Sequence, residues 1–381
     1  MHKFAKSFIF IVIAIKALLP LSVQAQDVDD QYQATVMTIV SAETVDVEGR
    51  SGTVQTLKIR FEEGPEAGQV VTLENNNLND PRQRAYAIGE QIYVSKLTLS
   101  DKTKTEDIYT VADEVRQPAI YILFFIFGVL TLLIAGKKGV MSLFGLAFSF
   151  LILIFIVLPM FSSGVEPVLV AAVAAFFMVG LNFYFSHGFS WKTTIAVFST
   201  LAALLITVML SLIFIELGKL TGFASEEAVL LQSVKGELIN IKGLILASIL
   251  IGSIGVLDDI TISQTSIVYG LQDVAKHLSF KELYHKAMQI GKDHIASMVN
   301  TLVLVYTSGA LPLLLLFVNA SDSVEKIINL EYVAQEIIIT LLSSIGLILA
   351  VPITTFLGVY ILKRNEQKDE QNSINFTNNA E

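Results

Sequence analysis

Residues 243–317 decide the fold: two apolar runs, GLILASILIGSIGVL (243–257) and HIASMVNTLVLVYTSGALPLLLLF (294–317), flank a polar segment that includes FKELYHKAMQIGKD (280–293). Both approach the ~20 apolar helical residues that cross the hydrocarbon core of a bilayer. Acids, amides and hydroxyls nevertheless punctuate this region, where hydrocarbon offers them no partner.

In the first run Gly252-Ser253-Ile254-Gly255 precedes Asp258 and Asp259. On a continuous helix Asp259, Ser263 and Ser266 share one face, and Asp258, Thr261 and Thr265 line the neighbouring face. In the second run Asp293, Ser297 and Asn300 repeat the spacing, with Thr301 adjacent. Asp259, Asp258, Ser263, Asp293, Ser297, Asn300 and Thr301 are therefore candidates for a polar pathway between the fifth and sixth spans. Gly252, Gly255, Gly309 and Pro312 are candidate helix breaks, because many transporters build their sites from discontinuous helices near the midplane. Plainer roles compete. The acids fit headgroup-level helix ends, Asp293 fits a helix start, where negative charge is favourable, and Asn300 fits an interhelical hydrogen bond.

Outward from this stretch, 53% hydrophobic and 16% charged residues in a chain of 381 specify a polytopic α-helical membrane protein. Apolar runs predict about seven transmembrane helices, at 119–135, 140–160, 168–185, 194–217, 243–262, 294–317 and 337–362. Ser225 followed by Glu226 and Glu227 predicts a capped short helix between the fourth and fifth. Ser279 and Glu282 form a capping-box pattern that starts an amphipathic helix with Phe280, Leu283, Ala287 and Ile290 on its apolar side. The tail from 363 to 381 is polar and expected to be disordered.

At the N-terminus, Lys3 and Lys6 precede an apolar core and a small-residue site at Ala25, the layout of a secretory signal peptide over residues 1–25. An uncleaved anchor is the alternative. Residues 26–116 alternate apolar and polar side chains, as in Leu57, Ile59 and Phe61 against Lys58 and Arg60, between Gly/Pro/Asn turns. Five short strands are expected there, in a small extracytoplasmic β domain built as a barrel or sandwich. With residue 26 outside, Lys137, Lys138, Lys192, Lys276, Lys281, Lys286, Lys292, Lys363, Arg364 and Lys368 fall in the cytoplasm, against Lys219, Lys235, Lys242 and Lys326 outside. That bias obeys the positive-inside rule and leaves the C-terminus inside.

The chain has no cysteine, which excludes disulfides and thiolate chemistry. No basic patch interleaved with aromatics points to nucleic acid. His277, His285 and His294 are too scattered to form a metal site, and nothing calls for a cofactor.

GVLDDITISQTS (255–266), the capped FKELY segment and GKDHIASMVNTLVLVYTSGALPLLLLF (291–317) together resemble the YibE/F-like family of bacterial membrane proteins. In that resemblance Asp259 fits the family aspartate better than Asp258, because Thr261, Ser263 and Gln264 then fall into place; Lys292 stands where arginine is usual. The resemblance implies a multispan protein of the bacterial cytoplasmic membrane and no particular reaction.

The expected function is accordingly transport-type rather than enzymatic. The alternative is an assembly or regulatory protein whose outer domain binds an envelope protein. Besides the lipid bilayer, the expected partners are that envelope protein or a homo-oligomer. An intramembrane aspartyl protease would need two acids at matching depth, which an Asp293 at a helix start does not supply.

Overall fold

The computed structural model describes residues 31–47, 50–76, 84–101, 104–318 and 323–378. The signal peptide expected over residues 1–25 lies outside them. Strands β1 (Gln31–Val47), β2 (Arg50–Phe61), β3 (Val70–Asn76), β4 (Gln91–Asp101) and β5 (Lys104–Glu114) form one antiparallel sheet in the order β3-β2-β1-β4-β5. The two edge strands also touch each other, so the sheet curls towards a barrel. Its core follows from alternation: Leu57, Ile59 and Phe61 of β2 are buried while Lys58 and Arg60 are exposed, and Val36, Ile92 and Val94 fill the same interior. Register shifts between Val36 and Thr38 and between Ile39 and Ser41 mark irregularities of the kind that bend a strand.

Buried amides fasten a turn to this sheet. Gln55 accepts from the Tyr86 N–H (2.7 Å) and donates to the Tyr86 carbonyl (3.0 Å), while Asn75 donates to the Arg84 carbonyl (2.8 Å). At another position Lys96 pairs with Glu66 and with Asp107 (3.0 Å), and Tyr109 donates to Glu66 (2.9 Å). The Glu66 carboxylate, then Asp107, holds the Lys96 ammonium above the usual lysine range.

The remaining described residues are mostly helical: α1 (Gln117–Ile152), a π-helical turn (Leu153–Val157), α2 (Leu158–Ser162), α3 (Pro167–His187), α4 (Trp191–Leu217), α5 (Glu226–Lys235), α6 (Ile241–Val274), α7 (Phe280–Gly309), α8 (Leu311–Val318), α9 (Val324–Ile328) and α10 (Glu331–Asn378). The chain divides into two compact units after Phe127, inside α1. Among the described residues five stretches are long and apolar enough to cross a membrane: Gln117–Ser162, Pro167–His187, Trp191–Leu217, Ile241–Val274 and Glu331–Gln367.

Several boundaries differ from the sequence expectation. One boundary holds: the first two expected spans are separate arms that meet at Gly136, whose φ of 57° and ψ of -135° suit only glycine. No break occurs at Gly252 or Gly255. Helix α6 runs through both with no positive φ, and a Cβ on Gly255 would meet nothing within 4 Å. A helical glycine costs only about 1 kcal/mol, and breaking the ladder in an apolar setting leaves backbone groups without partners.

The sixth expected span is divided: α7 begins at Phe280, passes through Asp293 and ends at Gly309, and α8 starts at Leu311. Asp293 is therefore internal to a helix. The reciprocal Ser279–Glu282 capping box starts α7, and no residue before Gly309 interrupts it. Ser225 caps α5, accepting from the Ala228 N–H. The tail, expected to be disordered, continues α10 as helix to Asn378.

Contacts along the second unit fix helix directions. Lys242 at the start of α6 pairs with Glu216 at the end of α4 (2.6 Å), whereas Thr261 further along meets Thr200, so these two helices are antiparallel. Glu331 at the start of α10 accepts from the Thr221 hydroxyl just beyond α4 (2.8 Å), and Glu366 near its other end accepts from Gln272 near the end of α6. Helices α6 and α10 thus run parallel. The α7 chain returns beside α6, with the Ala287 carbonyl at Gln264 (3.0 Å) and Tyr306 near Gly252, where a Cβ would lie 3.7 Å from its hydroxyl.

Candidate functional site

Helix α6 is the hub of the second unit. It packs against α3, α4, α7 and α10. Asn240 caps it by accepting from the Gly243 N–H (2.9 Å), and its apolar residues Leu250, Ile254, Leu257 and Ile260 face the largest buried cluster. Along the same buried side runs a row of polar residues: Ser253, Asp258, Thr261, Gln264, Thr265 and Gln272. Their separations follow the helical repeat, so their side chains meet the surrounding helices rather than water.

Each neighbour meets part of that row. Asn182 of α3 donates to Oδ2 of Asp258 (2.7 Å). The Thr200 and Thr261 hydroxyls lie 2.8 Å apart, and Thr261 also donates to the Leu257 carbonyl (2.9 Å). Gln264 donates to Thr355 of α10 (2.7 Å) as well as to the Ala287 carbonyl, which ties three helices at one level. Ser253 and Ser343 sit 3.4 Å apart. Buried polar groups must be partnered to be tolerated, and most of these are.

Three buried oxygens have no hydrogen-bond partner in the second unit's row: Oδ1 of Asp258, Oε1 of Gln264 and Oε1 of Gln272. The first matters most. Asp258 is 8% exposed, and a carboxylate at that depth is costly unless something compensates it, about 2.5–3.5 kcal/mol on insertion scales.

The structure separates the residues that the sequence grouped. Asp258 and Thr261 face inward, Ser263 is half-buried, and Asp259 is exposed. On α7, Asp293, Ser297, Asn300 and Thr301 are all exposed, as are Gly252 and Gly255 on α6. Sequence reasoning missed the inward partners Asn182, Thr200 and Thr355. Asn182 carried a usable signal, since it is an amide in the otherwise apolar VGLNFYF (179–185).

Close packing sets the rotation of α7 and α10. A Cβ at Gly291 would sit 2.6 Å from Val351 and 2.8 Å from Oε1 of Gln264; one at Gly346 would collide with the Thr207 hydroxyl. At these glycines, rather than at Gly252 and Gly255, side chains of neighbouring helices press against the backbone.

Residues 123–364 match the family described as YibE/F-like protein. The chain belongs to the YibE/F-like family. The YibE/F-like range opens inside α1 and ends inside α10, so it takes in the entire polar row of α6 and every partner named above. All five strands precede it. No curated protein and no solved structure matches the chain.

Proposed function

We propose that this is a transport-type protein of the bacterial cytoplasmic membrane, with a polar pathway between α6 and α7. Asp258 carries the reading: a buried carboxylate inside a long apolar helix, with one oxygen held by Asn182 and the other unpartnered. Ionisable groups so placed belong to ion or substrate paths more often than to scaffolding. In this reading Asp258 holds a cation or proton. Asp259 and Ser263 of α6, with Asp293, Ser297, Asn300 and Thr301 of α7, form the approach.

The topology proposed with it has seven crossings, the β domain outside and the C-terminus inside. Support comes from the parallel run of α6 and α10, which requires the intervening chain to return, and from α7 lying antiparallel beside α6. In this reading α7 is the sixth crossing, with Leu283, Ala287 and Leu302 packed against its neighbours.

The test is flux into vesicles holding the purified full chain, with protons and monovalent cations as first probes. Asp258→Asn keeps shape and removes charge, so flux should fall at least about tenfold, equivalent to the loss of roughly 1.4 kcal/mol of barrier stabilisation. Asp259→Asn should give a smaller loss. Absence of flux from the wild type for every solute class tried, or unchanged flux in Asp258→Asn, counts against transport.

A second reading, docking of an envelope protein on the β domain, draws on exposed apolar residues of its sheet. Leu97 and Ile108 are register partners on β4 and β5 and both are exposed, at 45% and 40%. Crosslinking in native membranes should then trap a partner through these positions, and Leu97→Lys should abolish the product.

A further inference from the structure

The second unit contains an open cavity of about 330 Å³ that the polar row does not reach. Lys137, Lys138, His187 and Lys192 line it, and no carboxylate does. These residues come from three places in the sequence. The Gly136 turn delivers Lys137 and Lys138 at the head of the second arm of α1. His187 closes α3, and Gly188 (φ 75°) then turns the chain into α4, where Ser190 caps the helix and Lys192 sits in its first turn.

Among the described residues none of these lysines has an acid within ion-pair distance, unlike Lys242 with Glu216 or Lys363 with Glu366. Asp259 and Asp273 act on His187 and Lys192 only from beyond ion-pair distance. Three ammonium groups gathered without a paired acid repel one another, and the arrangement is favourable when an anion is present. Apolar walls from Met141, Phe185 and Ile262 leave one side fit for hydrocarbon.

We propose that this cavity binds a phosphate group, either on an anionic phospholipid headgroup or as free inorganic phosphate. Lysines at the cytoplasmic ends of helices meet anionic lipid there, and basic pockets between membrane helices recognise such headgroups. Ammonium groups suit phosphate as point charges, and the donor-rich first turn of α4 adds to the field. The site is separate from Asp258, so it stands whether or not the protein conducts ions.

The experiment uses the purified full chain in nanodiscs of phosphatidylcholine, with or without phosphatidylglycerol. Native mass spectrometry reads retained lipid, and the thermal midpoint in pure phosphatidylcholine reads added inorganic phosphate. Preferential retention of phosphatidylglycerol that phosphate does not displace assigns the site to a headgroup. A midpoint raised by phosphate in phosphatidylcholine alone assigns it to the free anion. In either case Lys138→Gln and Lys192→Gln should each weaken binding about fivefold, and together multiplicatively, while Lys192→Arg retains it and Lys242→Gln changes nothing. The proposal is overturned if the wild type prefers neither probe, or if the double variant binds as the wild type does. Should the double variant fail to fold, the wild-type measurements and Lys192→Arg still decide.

Discussion

Asp258 and Asp259 are chain neighbours, yet they belong to opposite regions of the same helix. One is 8% exposed and bound by Asn182; the other is exposed. The side of α6 that bears Asp258 is shared with α3, α4, α10 and the first half of α7, and most of its hydroxyls and amides are paired. The side that bears Asp259 looks out with Gly252 and Gly255, and α7 turns an equally polar, equally exposed stripe outward. Identical residue types at identical spacing can thus be either cross-braces or an open surface. Close side-chain packing on Gly291 and Gly346 accompanies the difference.

The sharpest way to break this contrast is to exchange glycines. Gly291→Leu should cost about 3 kcal/mol or more, because its Cβ alone collides with Val351 and Gln264 and overpacked cores lose 1–3 kcal/mol before any larger shift. Gly255→Leu, with open space at its Cβ, should cost far less. Reversible unfolding in mixed micelles measures both, and equal losses would mean that the two faces do not differ as described.

A smaller effect is expected from the amides. Asn182→Ala strips the partner from a buried carboxylate and should destabilise by about 1–2 kcal/mol, the upper range for side-chain hydrogen bonds between membrane helices. Asn300→Ala should stay within about 0.5 kcal/mol, as exposed positions do. The same unfolding assay tests the pair, and Asn300→Ala matching Asn182→Ala would move α7's stripe inward.

The smallest effect concerns the first turn of α7, where Ser279 donates to Glu282 through its hydroxyl (2.7 Å) and its N–H (2.9 Å). The Ser279 hydroxyl, then its N–H, holds the Glu282 carboxyl below the usual glutamate range. A depressed carboxyl supports the fold above its unfolded value, about 4.3, and the support disappears as pH falls through the lower folded value. Hydrogen exchange at residues 280–284, corrected for its intrinsic pH dependence, should be steady from neutrality to about pH 5 and faster below about pH 4. Glu282→Gln should remove that dependence.

Much of the architecture was legible in composition and period. Alternation in Leu57–Phe61 marked a strand, Ser279 with Glu282 marked a helix start, and lengths near 20 residues marked the candidate spans. Legibility stopped where tertiary contacts decide. Hydropathy could not rotate α6, so the stripe through Asp259 and the one through Asp258 remained equivalent, and the family resemblance pointed to the exposed one. Nor could it anticipate that Gly252 and Gly255 stay helical, because glycine permits helix or turn and backbone hydrogen bonding chooses. The partners Asn182, Thr200 and Thr355 lie far along the chain from their targets, and single-sequence spacing carries no record of them.

The parallel course of α6 and α10 bears on how the molecule is made. Translation delivers α10 well after α6, yet Thr355, Ser343 and Glu366 of that helix are the partners awaited by Gln264, Ser253 and Gln272. Until α10 arrives, the nascent chain carries an unsatisfied polar seam along its most central element. Truncation within α10 would therefore leave a chain with its earlier helices complete and its seam open, a form that quality-control proteases should find before it assembles.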